Sequence, residues 1–212
     1  MASSHADLEW DMVRTFGVVA VLAVSVQVVL LVALHLLPSG YDPVRDAISD
    51  YGVGRYRGYF WGQLTAGGLA CIGVALALAG LPGYVPAFVV VMLFANAMAR
   101  FLMPAFPTDQ SGSRFQTVKG TVHMVLAFVA FGAVAAAATS LSGLFTHYSE
   151  WNGAKGLLVT LGWLVLAGAI LCVLALIGSR LKRIFGLIER LFTLAVIAWL
   201  YVISIELIRF GK

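Results

Sequence analysis

Residues 15–37 read TFGVVAVLAVSVQVVLLVALHLL, an apolar run with no acidic or basic side chain other than His35 near its end. The hydrocarbon core of a bilayer takes about 20 such residues as a helix, the form in which a single segment satisfies its own backbone hydrogen bonds. Five more stretches repeat the pattern: Gly58–Gly80, Pro86–Pro104, Lys119–Phe145, Gly156–Gly178 and Leu187–Ile208. In 212 residues, 61% are hydrophobic and 11% charged, too apolar a surface for a soluble core of that size to hide. The reading is an all-α polytopic membrane bundle of about six helices, forming one domain over residues 1–212.

Asp7, Glu9 and Asp11 precede the first run where a cleavable signal would be basic, so this helix is expected to stay in the mature protein. Cys71 and Cys172 fall inside helices two and five and read as small packing residues. Arg45, Arg55, Arg57, Arg100, Arg114, Lys119, Arg180, Lys182, Arg183 and Arg190 gather in and beside the connections after helices one, three and five. The opposite face has Arg14, Lys155, Arg209 and Lys212. Short basic loops stay cytoplasmic, which places both termini outside a plasma (inner) membrane. The net charge of +4 then implies anionic lipid headgroups as partners; no soluble domain offers a groove for nucleic acid.

The connection Leu81–Val85 is short enough to make helices two and three antiparallel neighbours. Gly58 and Gly62, and several alanines of helix four, have close-packing spacing that serves the bundle itself or a homo-oligomer or complex partner.

The first long loop, Pro38–Arg57, encodes a short interfacial helix. Asp42 can cap it, Pro43 suits its first position, and Gly52 ends it. Val44, Ala47, Ile48 and Tyr51 recur at helical spacing as an apolar face; Arg45 with Ser49, and Asp46 with Asp50, share polar stripes. Such a helix anchors the connection or roofs a cleft.

The second long loop carries Phe106-Pro107-Thr108-Asp109, and Ser113 with Gln116 has capping-box spacing for a helix starting near Arg114. Lys119 and His123 lie four apart on that helix; burial and the positive neighbour favour a neutral imidazole, whereas Asp50 or Asp109 nearby would reverse this. Asn96 and Arg100 share a face of helix three, and Glu189 and Arg190 open helix six. An ionisable group in a membrane helix is a functional-site hypothesis. Asp50, Asp109 or Glu189 are the candidate partners of Arg100; the competing reading is snorkelling to headgroups, favoured for Glu189 and Arg190.

Asp42-Pro43, Ile48-Ser49-Asp50-Tyr51-Gly52, Phe106-Pro107-Thr108-Asp109 and Gly120 with His123 together resemble the prokaryotic membrane-protein family catalogued as domain of unknown function 998. The resemblance covers nearly the whole chain. It implies six helices, makes Ser49, Asp50, Asp109 and His123 the characteristic polar positions, and implies no activity. The residue types also resemble those of metal-dependent intramembrane lipid hydrolases related to alkaline ceramidase. Those enzymes use several histidines on one zinc; here His5 is in the tail and His147 on the opposite face, leaving His35 and His123 with carboxylates.

Three functions follow. The first is a pocket at the basic face, binding an anionic headgroup or small polar ligand. Asp42, Arg45, Asp46, Asn96, Arg100 and Glu189 would bind, with Ser49, Asp50, Asp109 and His123 as the catalytic candidates if there is chemistry. The second is an accessory or scaffold subunit whose polar cluster ties loops together. The third is a b-type haem held by His35 and His123. Transport is the weakest reading, since Gln27 is the clearest polar group near a helix centre and no charge sits at the midplane.

Overall fold

A computed structural model describes residues 5–81, 85–109, 116–144 and 153–209. Among them the regular structure is helical: α1 (His5–Leu36), α2 (Arg57–Ala79), α3 (Ala87–Leu102), α4 (Val118–Leu144), α5 (Lys155–Ile177), the single-turn α6 (Ser179–Lys182) and α7 (Phe185–Arg209). Six of these are long and apolar enough to cross a membrane, and they match the six expected stretches to within a few residues at most ends. The exception is α1, which starts at His5, ten residues ahead of the expected Thr15. Gly83 in the tight second connection, Ser113, Arg114, His147 and Lys212 lie outside the described residues.

Helix ends follow local chemistry. α1 stops ahead of Pro38, and Gly40 turns the chain with a φ of +79°, a conformation that favours glycine. α5 stops at Gly178, whose ψ of 120° is extended, and α6 makes one basic turn before α7 begins.

Each membrane helix packs on its chain neighbour, and α7 returns to α1, so the six close into a ring in sequence order. α2 also touches α7 across the ring. Accordingly 67% of α2's apolar stretch is buried, against 28% for α5. The outer surface is apolar, with Leu22, Val29, Val91, Trp163, Leu171 and Leu194 exposed, as lipid requires.

Lipid is as apolar as leucine, so helices gain by close approach rather than by hiding apolar area. A Cβ on Gly73 would lie 3.0 Å from the Phe16 carbonyl oxygen, and one on Gly162 would lie 2.9 Å from that of Ala138. These fix the α1–α2 and α4–α5 contacts. Of the expected pair, a Cβ on Gly62 would lie 2.9 Å from Leu30, while one on Gly58 would meet nothing within 4 Å. The alanines of α4 do pack inward: Ala130, Ala133, Ala135, Ala137 and Ala138 are buried.

Gly73→Val is expected to overpack α1 against α2 and cost about 1–3 kcal/mol. Thermal unfolding in detergent should show a clear loss for it and almost none for Gly58→Ala.

Candidate functional site

The first long loop spends its aspartates on its own backbone. Asp42 Oδ1 accepts the Val44 amide (2.8 Å) and Asp46 Oδ2 accepts the Asp42 amide (2.7 Å), forming a tight turn over residues 42–46. Arg45 lies 3.6 Å from Asp42 on the exposed side. Ala47 is extended, and a 3-10 turn follows over Ile48–Gly52, with Asp50 Oδ2 accepting the Ala47 amide at 2.8 Å. The short helix therefore occupies only the second half of the expected span, because short acidic side chains offer the backbone bonds that compete with helical ones. Ala47, Ile48 and Tyr51 are buried as the apolar spacing predicts, but Val44 is exposed. The break at Ala47 leaves the pairs Arg45–Ser49 and Asp46–Asp50 without a common helical stripe.

This loop is docked on the first turns of α7. The Leu187 amide donates to the Val44 carbonyl (3.0 Å), and the Ile48 amide donates to Glu189 Oε2 (2.7 Å). Arg190 donates from Nη1 to the Asp46 carbonyl (2.8 Å) and from Nε to His35 Nε2 (2.7 Å). Gly186 makes the approach possible, since a Cβ there would strike the Asp46 carbonyl. Glu189 and Arg190 are thus tied inward to the loop instead of reaching out to headgroups. His35 donates from Nδ1 to the Leu31 carbonyl (2.7 Å), so both its nitrogens are engaged. With no lone pair left for iron, His35 does not suit the bis-histidine haem site. Its ring packs 5.7 Å from that of Tyr51, which meets Tyr41 edge-on at 5.0 Å. Burial, then the Asp50 and Asp46 charges, push the Tyr41 hydroxyl above its ordinary pKa.

The second loop is built around Asp109. Its Oδ1 accepts the Thr117 hydroxyl (2.6 Å), and its Oδ2 accepts the amides of Gln116 (2.8 Å) and Thr117 (3.1 Å). Thr117 in turn accepts the Gly120 amide at 3.0 Å, which caps α4. Gly120 leaves room for the Asp109 carboxylate, against which any Cβ would press. The Thr117 hydroxyl, followed by the Thr117 amide, holds the Asp109 carboxyl below the usual 3.8. One turn on, His123 Nδ1 lies 2.8 Å from the Phe106 carbonyl. A carbonyl only accepts, so Nδ1 carries a proton and donates it to Phe106.

Beneath the first loop, inside the ring, lies a small open-mouthed cavity of about 60 Å³. Ser49, Gln63, Arg100, His123, Glu189 and Thr193 supply its polar wall; Phe60, Phe131, Cys172 and Phe185 are among the apolar groups. The fold therefore brings together Ser49, Arg100, His123 and Glu189. Asp42, Arg45, Asp46, Asp50 and Asp109 are not among the lining residues. Asn96 is buried in a tie between helices, accepting from Cys71 Sγ (3.2 Å) and donating to the Ala130 carbonyl (2.7 Å).

Arg100 is 8% exposed and its Nη1 has no hydrogen-bond partner. Among the described residues it makes no ion pair with Asp50, Asp109 or Glu189. Its guanidinium lies against Gly67, and a Cβ on that glycine would meet it, as well as Gln27 Oε1 at 2.8 Å. Both amide atoms of the fully buried Gln27 also lack partners. Gln63, which the sequence reading passed over, lines the cavity one turn before Gly67; that spacing, a glutamine followed by a glycine four on, was the available signal. Among the described residues no three His, Cys, Asp or Glu side chains form a metal-binding group.

Asp109→Ala is expected to lower the unfolding temperature at neutral pH by releasing the cap of α4. The depressed carboxyl contributes stability that is complete above the usual value of 3.8 and lost as pH falls through its lower folded value. A detergent unfolding series from pH 7 to pH 3 should show that acid loss in the wild type and a smaller one in the variant.

The chain matches no curated protein and no solved structure. A family model described as "Protein of unknown function (DUF998)" matches residues 18–206, a range that takes in both long loops, the cavity and most or all of each membrane helix. The chain belongs to the DUF998 family of multi-pass membrane proteins.

Proposed function

We propose that the cavity binds an anion, the phosphate or carboxylate of a lipid headgroup or small polar ligand, at the cytoplasmic face of the plasma (inner) membrane. The observation that carries this is Arg100: a cation buried inside a membrane bundle, its Nη1 unpartnered, at a cavity wall. An unpaired buried charge costs several kcal/mol, and an anion with acceptor oxygens is the group that offsets it. A guanidinium forks onto such oxygens in two parallel hydrogen bonds. Gln63 adds an amide donor, and Glu189 Oε2 is turned to the Ile48 amide of the roof. His123 lines the same cavity, with its Nδ1 donating to the Phe106 carbonyl.

The basic side chains support the orientation. Arg45, Arg55, Arg57, Lys119, Arg180, Lys182 and Arg183 are exposed at the end of the ring where the cavity lies, and they would draw anionic headgroups toward it.

The test compares wild type with Arg100→Met and Arg100→Lys in detergent, with sn-glycerol 3-phosphate as the soluble probe. The probe should raise the unfolding temperature of the wild type, since a ligand that binds only the folded state stabilises it. Arg100→Met should unfold at or above the wild-type temperature without probe, having lost an uncompensated charge, and should give no shift with it. Arg100→Lys should retain a reduced shift. An Arg100→Met protein that is destabilised, with the probe response intact, would make Arg100 a structural group and remove the proposal.

A further inference from the structure

Resting on that anion-site reading, we infer that the ligand is a membrane lipid whose hydrocarbon chain lies in a groove between α4 and α5. The groove is apolar throughout, with Phe128, Gly132 and Ala136 along one side and Leu166, Ala169 and Leu174 along the other. Phe128, Phe131 and Val173 also line the polar cavity, so the two spaces share a wall and adjoin.

Direction distinguishes this groove from a random surface dent. The cavity takes in His123 on α4 and Leu176 on α5, near the ends of those helices at the basic face. The groove continues from Phe128 to Ala136 and from Leu174 back to Leu166, toward the middle of the bilayer. At 1.5 Å per residue each path is about 12 Å long. A lipid of the adjoining leaflet has this same order, head at the boundary and chain toward the midplane. Gly132, Ala135, Ala136 and Ala169 keep the groove open by their small size, while Gly162 draws α4 and α5 together further along. The chain's occupancy also gives the ligand a lateral route from the bilayer, with no need to pass the docked first loop.

Two measurements test this on the full chain in nanodiscs or detergent, by native mass spectrometry. The first uses the wild type with phosphatidylglycerols of increasing chain length beside sn-glycerol 3-phosphate. Affinity should rise at least tenfold from the headgroup alone to a long-chain lipid; a flat series would overturn the inference and assign the site to a soluble anion. The second uses Gly132→Leu with Ala136→Leu. A Cβ on Gly132 meets nothing within 4 Å, so that position has room for a side chain directed into the groove. Long-chain phosphatidylglycerol binding should fall at least tenfold with sn-glycerol 3-phosphate binding unchanged. An unchanged lipid affinity in the folded variant would overturn the groove and leave the anion site standing. If the variant does not fold, the chain-length series decides alone. If Arg100→Met keeps both ligands at wild-type affinity, the anion reading falls instead.

Discussion

Closure of the ring between the first and last membrane helices is the constraint on which the other features depend. Apolar contact alone gives two helices little reason to prefer each other over lipid, so the α1–α7 seam relies on close approach and polar ties. Gly17 lets the Ser204 carbonyl come within 3.2 Å of where a Cβ would be, and Ser25 and Tyr201 hydroxyls meet at 2.6 Å. At the basic end the Arg190–His35 bond completes the seam, and the first loop locks onto it through Glu189 and Leu187. Without this closure the cavity would have neither its α7 wall nor its roof.

The two loop motifs do different work from the cavity they frame. Asp42, Asp46 and Asp50 hold backbone amides within four residues of themselves and Asp109 holds amides across its loop, which gives each loop one shape. Shape is what allows Ser49 and His123, from separate loops and helices, to face a common space with Arg100. The acidic positions thus act on the site through geometry, and the cation supplies the charge that a ligand would meet.

Much of this was legible in the residues. Apolar run length located the six helices because lipid imposes a length, and the short acidic and glycine-rich motifs located the two structured loops because their turn chemistry is local. The rest needed tertiary information. The cap of α4 is Thr117, held by Asp109, and no spacing rule links residues across that loop. Spacing also extended the first-loop helix back to Asp42, where local aspartate–amide bonds prevail over helical ones. Arg100 sits about one turn from the basic boundary, which suggests an outward reach. Helical side chains lean toward their own N-terminus, however, and for α3 that direction is inward, toward Gly67. The inward ties of Glu189 and Arg190 are hidden from local sequence for a similar reason: their partners, Ile48, Asp46 and His35, are distant in sequence.

The docking of the first loop on α7 also sets an order of assembly. Ile48 and Val44 leave the ribosome some 140 residues before the groups that bind them, since Glu189 is 141 positions after Ile48. Throughout the insertion of α2 to α5 the roof segment has no surface to rest on, and the ring stands open along α1. Contacts so distant in sequence are slow to form and leave polar groups exposed to wrong partners meanwhile. The last helix is therefore the step that turns an open sheet of helices into a chamber, and a membrane quality-control protease would find its best target in chains halted just before Phe185.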